Sequence, residues 1–356
     1  MKKTFQQRIR KSIQANDAVA AAHLCRAQPD VDEAAREAIL EAIRLDQDAI
    51  IDVLLPLLTA SWKQEPLKTA AKLGKVDLVR MLMPYCDSED DAALCLAARH
   101  GHLECVQLLI RSCNPFQRDS QALYEASLHG HPDVVFHLIL GSDAKARNSR
   151  ALIAACREGH LEVVKHLLPF SSKIQCAQYG FSAAAENNHV EVIDYLIGAG
   201  LPDPEDTYSM GLNVAAAKGH ESLVRKLLWA IVKTGHAPRD FGYKAMLAAA
   251  TIGHAEIVKS LLEFAHKTAD PELGLYIALQ NCHDEMVDVL VPRANLDLVR
   301  ELISDKETYA KLDESIAKAA ALKERRELDS NEYGRAREQA KVSTPAIRQM
   351  TRPPRL

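Results

Sequence analysis

The chain has 356 residues, a formal net charge of −4 at pH 7 and 47% hydrophobic residues, while Phe, Trp and Tyr together make only 5%. No apolar run is long enough to span a bilayer, and the opening MKKTFQQRIRKSIQ is basic and amphipathic without the apolar stretch of a secretory signal. A chain of this length ordinarily suggests about two domains, but an internal repeat overrides that prior.

In chain order the repeat passes through Asn16, Asp46, Gly74, Gly101, Gly130, Gly159, Asn188, Gly219, Gly253 and Cys282, in steps of 27 to 34 residues. A period near 30 sustained this long means a solenoid, which grows by nearest-neighbour contacts and need not divide. Four residues before the reference position stands alanine in nine of ten copies: Ala42, Ala70, Ala97, Ala126, Ala155, Ala184, Ala215, Ala249 and Ala278. Seven before it the residue is large and apolar, from Ile9 and Ile39 through Leu67, Leu94, Leu123, Leu152, Phe181, Leu212 and Met246 to Leu275. This i, i+3 spacing puts both on one face of a short helix, the large residue in the core and the alanine where a neighbouring helix approaches. Apolar residues follow at +4, +5, +8 and +9, as in Val163, Val164, Leu167 and Leu168, so each period is a helix, a tight turn and a second helix. Ile9 and Ser12 place the opening segment in the same register, as an N-terminal capping repeat.

The string built by ALIAACREGH and LEVVKHLL, repeated as ALCLAARHGH, ALYEASLHGH and GLNVAAAKGH, resembles the core of the ankyrin repeat over roughly residues 5 to 291. The resemblance implies an all-α, ankyrin-like helical-repeat solenoid with a C-terminal helical extension. Two departures are informative. The family's Thr-Pro-Leu-His opening is reduced to its leucine, with Arg150-Ala151, Gln121-Ala122, Tyr179-Gly180 and Met210-Gly211 where Thr-Pro would stand. The common step of 29 residues is short of the usual period of about 33, and the loss falls where the family places its β-hairpin fingers. Most fingers are therefore expected to be shortened or absent, and only the step containing KTGHAPRDFGYK (233 to 244) has room for a full-length one.

The eight cysteines, Cys25, Cys86, Cys95, Cys105, Cys113, Cys156, Cys176 and Cys282, form no C-x-x-C pair and fall at scattered phases of the repeat, so they read as reduced thiols of an intracellular protein. His102, His131, His160, His189, His220, His254 and His283 each follow the reference position. A metal site needs converging ligands, whereas this row is spaced by whole repeats of about 10 Å; each histidine is expected to hydrogen-bond the neighbouring turn. No metal site and no cofactor is expected. There is no G-x-S-x-G, phosphate-binding glycine loop or H-E-x-x-H, and no enzyme is expected.

Three domains are read: 1–292 the solenoid of about ten repeats, 293–340 capping and extension helices, and 341–356 a flexible basic tail. ANLDLVRELI forms a last amphipathic helix, and the helix-rich stretch after it carries a thin apolar stripe of Ile316, Ala320 and Leu322. From Arg335 onward six cations face one carboxylate, a net charge of +5 that leaves −9 for the rest. With no aromatic stacking residue in it, the tail is not expected to bind nucleic acid.

The ankyrin resemblance implies that residues five, two and one before the reference position line a concave binding face. The middle repeats present Arg99, His100, Glu125, His129, Arg157, Glu158, Glu186 and Asn187 there, a mixed polar surface suited to a protein partner. Later repeats present Val214, Ala217, Ala248, Ile252 and Ile277, unusually apolar for an exposed groove. The helix near Ile316 and Leu322 is expected to fold back over that zone by reversing at Ser304 and Asp305, with a partner's helix as the alternative cover and an open groove as the third outcome. The expected protein is a monomeric, non-catalytic scaffold or adaptor. The resemblance leaves an alternative: an effector of an intracellular bacterium, delivered to a host cell to bind or modify a host protein, its arginine-bearing C-terminus acting as secretion signal.

Overall fold

The computed structural model describes residues 2–85, 90–234, 241–264 and 270–342. Among them there is no strand, only α-helices with short 3-10 and π segments. The chain separates into two units between Gly211 and Leu212.

The first unit is built of antiparallel helix pairs such as Ala92–Arg99 with Leu103–Leu109, Gln117–Leu128 with Pro132–Leu138, and Ala146–Glu158 with Leu161–Leu167. First helices pack on first helices and second helices on second helices, giving two layers. The alanine column is what permits this: Ala42, Ala70, Ala97, Ala126, Ala155 and Ala184 are all fully buried where adjacent first helices meet. Ile39, Leu67, Leu94, Leu123, Leu152 and Phe181 fill the space beside them, each contributing about 1.5–3 kcal/mol of burial.

What ends each first helix is a left-handed residue, and all ten reference positions have positive φ, from 52° at Asn16 to 100° at Gly253. Glycine takes that conformation without the steric penalty that a Cβ brings. The expected histidine contact is present. The rings of His102, His131, His160, His189, His254 and His283 each lie against the reference glycine of the preceding repeat. Nε2 of His102, His131, His160 and His189 donates to the carbonyls of Lys72, Arg99, Leu128 and Arg157, at 2.8–3.2 Å.

Where hairpin fingers would join the repeats, bonds between a side chain and the backbone do so. Ser120 Oγ accepts from the Asp143 amide at 2.8 Å, and one repeat on, Ser149 Oγ accepts from the Ser172 amide at 3.0 Å. Both serines are buried and both adopt positive φ, Ser149 as the last of three consecutive left-handed residues beginning at Arg147. The long connection expected at 233–244 lies largely outside the described residues.

The second unit repeats the scheme with Phe241–Ile252 paired to Ala255–Phe264 and Pro271–Gln280 paired to Asp284–Leu290. Leu212, Ala215, Met246, Ala249, Leu275 and Ala278 are buried in register. Glu272 Oε1 accepts from the Asn295 amide at 2.8 Å, the counterpart of the serine links. Helix Leu296–Leu302 buries Val299 and stops at an extended Ile303. The chain then reverses as anticipated, with Asp305 Oδ1 accepting from the Thr308 amide at 2.7 Å to start helix Lys306–Val342. That bond holds the Asp305 carboxyl below its ordinary pKa.

The landing place differs from the expectation. Thr308 and Leu312 are buried against the last helix pair, and Lys318 Nζ donates to Asp288 Oδ2 at 2.8 Å. Leu322 and Ile252 stay exposed, and Ile316 is half-buried. Leu312 packs on the last helix pair, Pro271–Gln280 and Asp284–Leu290, while Ile252 lies one repeat earlier. The tail from 343 onward lies outside the described residues.

Candidate functional site

The polar residues of the first-helix layer in the first unit converge on Glu125. It sits five residues before Gly130, one position from the buried Ala126, so its side chain emerges at the seam between helices Ala92–Arg99 and Gln117–Leu128. Oε2 accepts from Arg99 Nε at 2.9 Å, while Oε1 accepts from Arg99 Nη2 at 3.0 Å and from Gln121 Nε2 at 2.5 Å. His129 donates from Nδ1 to the Glu125 carbonyl at 3.0 Å, which brings its ring to 3.9 Å from Oε2. Burial by itself raises the Glu125 pKa, but the hydrogen bonds from Arg99 and Gln121 outweigh it and hold the carboxyl below its ordinary value. A buried charge is stable only when paired in this way.

From Glu125 the network runs in both directions. Gln121 Oε1 accepts from Arg150 Nη2 at 2.7 Å; the Arg150 guanidinium lies 4.5 Å over the Tyr124 ring and also donates to the Arg118 carbonyl at 3.3 Å. Arg118 in turn donates through Nε, at 2.6 Å, and Nη2 to the buried Asp91, which also accepts from Cys95 Sγ. Burial first, and then Asp91, push the Cys95 thiol far above its ordinary pKa, so it stays protonated. Asp90 completes the line with Lys68 Nζ at 2.9 Å.

The structure thus brings together three of the residues singled out from sequence, Arg99, Glu125 and His129. Glu125 differs from its expected role: it is buried and wholly engaged, because its carboxylate orients Arg99 instead of facing solvent. His100 is exposed beside them, its ring 6.2 Å from that of His102. Burial, followed by the neighbouring charge of Lys72, lowers its pKa. Arg157, Glu158, Glu186 and Asn187 are exposed on the following repeats. In the second unit Val214 and Ile277 are half-buried and only Ile252 is exposed.

Missed from sequence were Asp91, Arg118, Gln121 and Arg150. They lie nine to twelve residues before the reference positions, and the i, i+4 step from Gln121 to Glu125 was the signal that the polar face extends that far back.

The groups present are suited to hydrogen bonding and ion pairing. No cluster of three or more His, Cys, Asp or Glu that could hold a metal occurs among the described residues. No described helix is long and apolar enough to cross a membrane. Burial raises the thiols of Cys25 and Cys105 to about 11, so both are protonated near neutral pH.

Helix pairs closed by a left-handed turn and stacked through an alanine column define an all-α repeat solenoid. The profile of the family described as ankyrin repeats (3 copies) matches residues 39–119, 123–207 and 212–301, and the chain belongs to that family. The human ASB11 ankyrin repeat domain, known from a crystal structure, is similar at 20% identity and a TM-score of 0.44, with 55% of this chain and 96% of that one covered. No curated protein matches the chain. Ankyrin repeats are generally protein–protein interaction modules.

Proposed function

We propose that this protein is a non-catalytic scaffold or adaptor that holds a partner protein against the first-helix face of residues 67–187, with the Arg99–Glu125 pair at its centre. One observation carries the reading. Glu125 is buried yet spends its hydrogen-bonding capacity fixing a surface arginine, an arrangement that pre-organises Arg99 for contact and removes the entropy loss of ordering it on binding. The reading is tested by placing a photo-crosslinking amino acid at His100, on the first-helix layer, and in a second protein at Lys165, on the second-helix layer. A single cellular protein crosslinked from position 100 and absent from position 165 supports it. Equal or absent crosslinking at the two positions rejects it.

A further inference from the structure

The face proposed above carries a row of side chains two residues before each left-handed turn, Lys72, Arg99, Leu128 and Arg157, followed by Glu186, and Arg44 continues the row one repeat before it. These positions are in mutual register, because the carbonyls of Lys72, Arg99, Leu128 and Arg157 are the ones the turn histidines of the next repeat clamp. The charges along this row are layered by depth. The Arg99 side chain is 45% exposed over a Glu125 that is 6% exposed, Arg44 is 63% exposed beside a Glu41 at 23%, and the nearby Arg118 is 56% exposed over an Asp91 at 2%. In these three pairs the carboxylate lies beneath and the cation faces solvent, and Lys72 is exposed as well, whereas Glu158 is exposed beside Arg157; an approaching chain meets cations first from Arg44 to Arg118.

We infer that this row binds an extended, acidic segment of the partner protein, with its carboxylates three residues apart. The inference rests on the binding reading above. Successive first helices lie about 10 Å apart, and an extended chain advances about 3.3 Å per residue, so one repeat corresponds to about three residues of the segment. Read from Arg44 to Arg157, the segment has carboxylates at its first, fourth, seventh and thirteenth residues, with an apolar residue at the tenth, opposite Leu128. Arg99 and Arg118 each commit Nε and Nη2 to a buried carboxylate. At Arg99 the end-on edge, formed by Nη1 and the second N–H of Nη2, remains for the segment, and a guanidinium so fixed presents a planar fork matched to a carboxylate. The sign change at Glu186 marks where the acidic tract ends.

The test uses the full chain and fluorescein-labelled peptides with glutamate at the first, fourth, seventh and thirteenth positions, leucine at the tenth and serine or glycine elsewhere, in both sequence orders. One order should bind at least about tenfold tighter than its lysine counterpart, and more weakly as salt is raised. Lys72→Gln with Arg157→Gln should weaken it about tenfold, with an unchanged melting curve, since both side chains are exposed. Binding of neither order, equal binding of the lysine peptide, insensitivity to the double substitution, or tighter binding of a single-stranded oligothymidylate overturns the inference. If crosslinking from position 100 succeeds while the peptides fail, the acidic segment is wrong and the binding face stands.

Discussion

The ring of His160 occupies the space that a side chain on Gly130 would need: a Cβ built on the glycine would lie 2.6 Å from Cε1 of that ring. The glycine is therefore required twice, once by its own φ of 73° and once by the next repeat. Gly130→Ala should destabilise the protein by about 1–2 kcal/mol from the backbone alone, with a further loss from displacing the ring. His160→Ala removes that second loss, so the double variant should be more stable than the sum of the single changes implies. Urea denaturation of the four proteins measures this, and strict additivity would show that the contact carries no energy.

Ala155 is fully buried at the seam between helices Gln117–Leu128 and Ala146–Glu158. Ala155→Leu should cost about 1 to 3 kcal/mol through overpacking, seen as a lower melting temperature. A melting curve identical to that of the parent would mean the seam has slack the register does not predict.

The repeat was legible because its determinants are local: an apolar residue, an alanine three later and a left-handed residue four after that fix a helix, its buried face and its end. Even Asn16, Asp46 and Cys282, which are not glycine, were placed by register alone and adopt the left-handed turn. The candidate site was legible only in part. Arg99, Glu125 and His129 fall at phases the repeat exposes, but whether Glu125 faces water or lies under Arg99 depends on Gln121 and on the packing of the preceding helix. Arg118 and Asp91 were invisible for a different reason. Asp91 lies just before its helix and Arg118 in the left-handed first turn of helix Gln117–Leu128, both ahead of the repeated pattern, where period carries no information. The landing of the C-terminal helix was misjudged because an apolar stripe shows that a helix packs and does not show where.

Glu125 makes stability depend on pH. Its folded pKa is depressed, so its contribution is fully present above the ordinary glutamate value of 4.5 and is lost as pH falls through the lower folded value. Glu125→Gln should cost about 2 kcal/mol near neutral pH by breaking a buried, paired network. It should also flatten the loss of stability on acidification below that value. Melting temperatures from pH 7 to pH 3 compare the two, and parallel curves would assign the acid sensitivity elsewhere.

Ser149→Ala deletes the acceptor of the Ser172 amide. The expected loss is about 1 kcal/mol, together with faster hydrogen exchange at Ser172 and unchanged exchange within helix Ala92–Arg99. Unaltered exchange at Ser172 would show that water replaces the hydroxyl at no cost.

Leu312→Ala opens a cavity between the C-terminal helix and the last helix pair. The change should cost about 2 to 5 kcal/mol, and truncation before Lys306 should destabilise the second unit by at least as much. If the truncated chain unfolds at the same denaturant concentration as the parent, the helix contributes nothing to that unit.

The line of bonds from Lys68 through Asp90, Asp91, Arg118, Arg150, Gln121 and Glu125 to Arg99 draws on four successive repeats. Each of these bonds stays within a repeat or joins nearest neighbours, the coupling that repeat arrays use. An opening that frees any one of these repeats also strips side-chain partners from its neighbour, which raises the cost of opening a single repeat within this stretch. Side chains at the surface thus oppose piecemeal melting of the repeats beneath them.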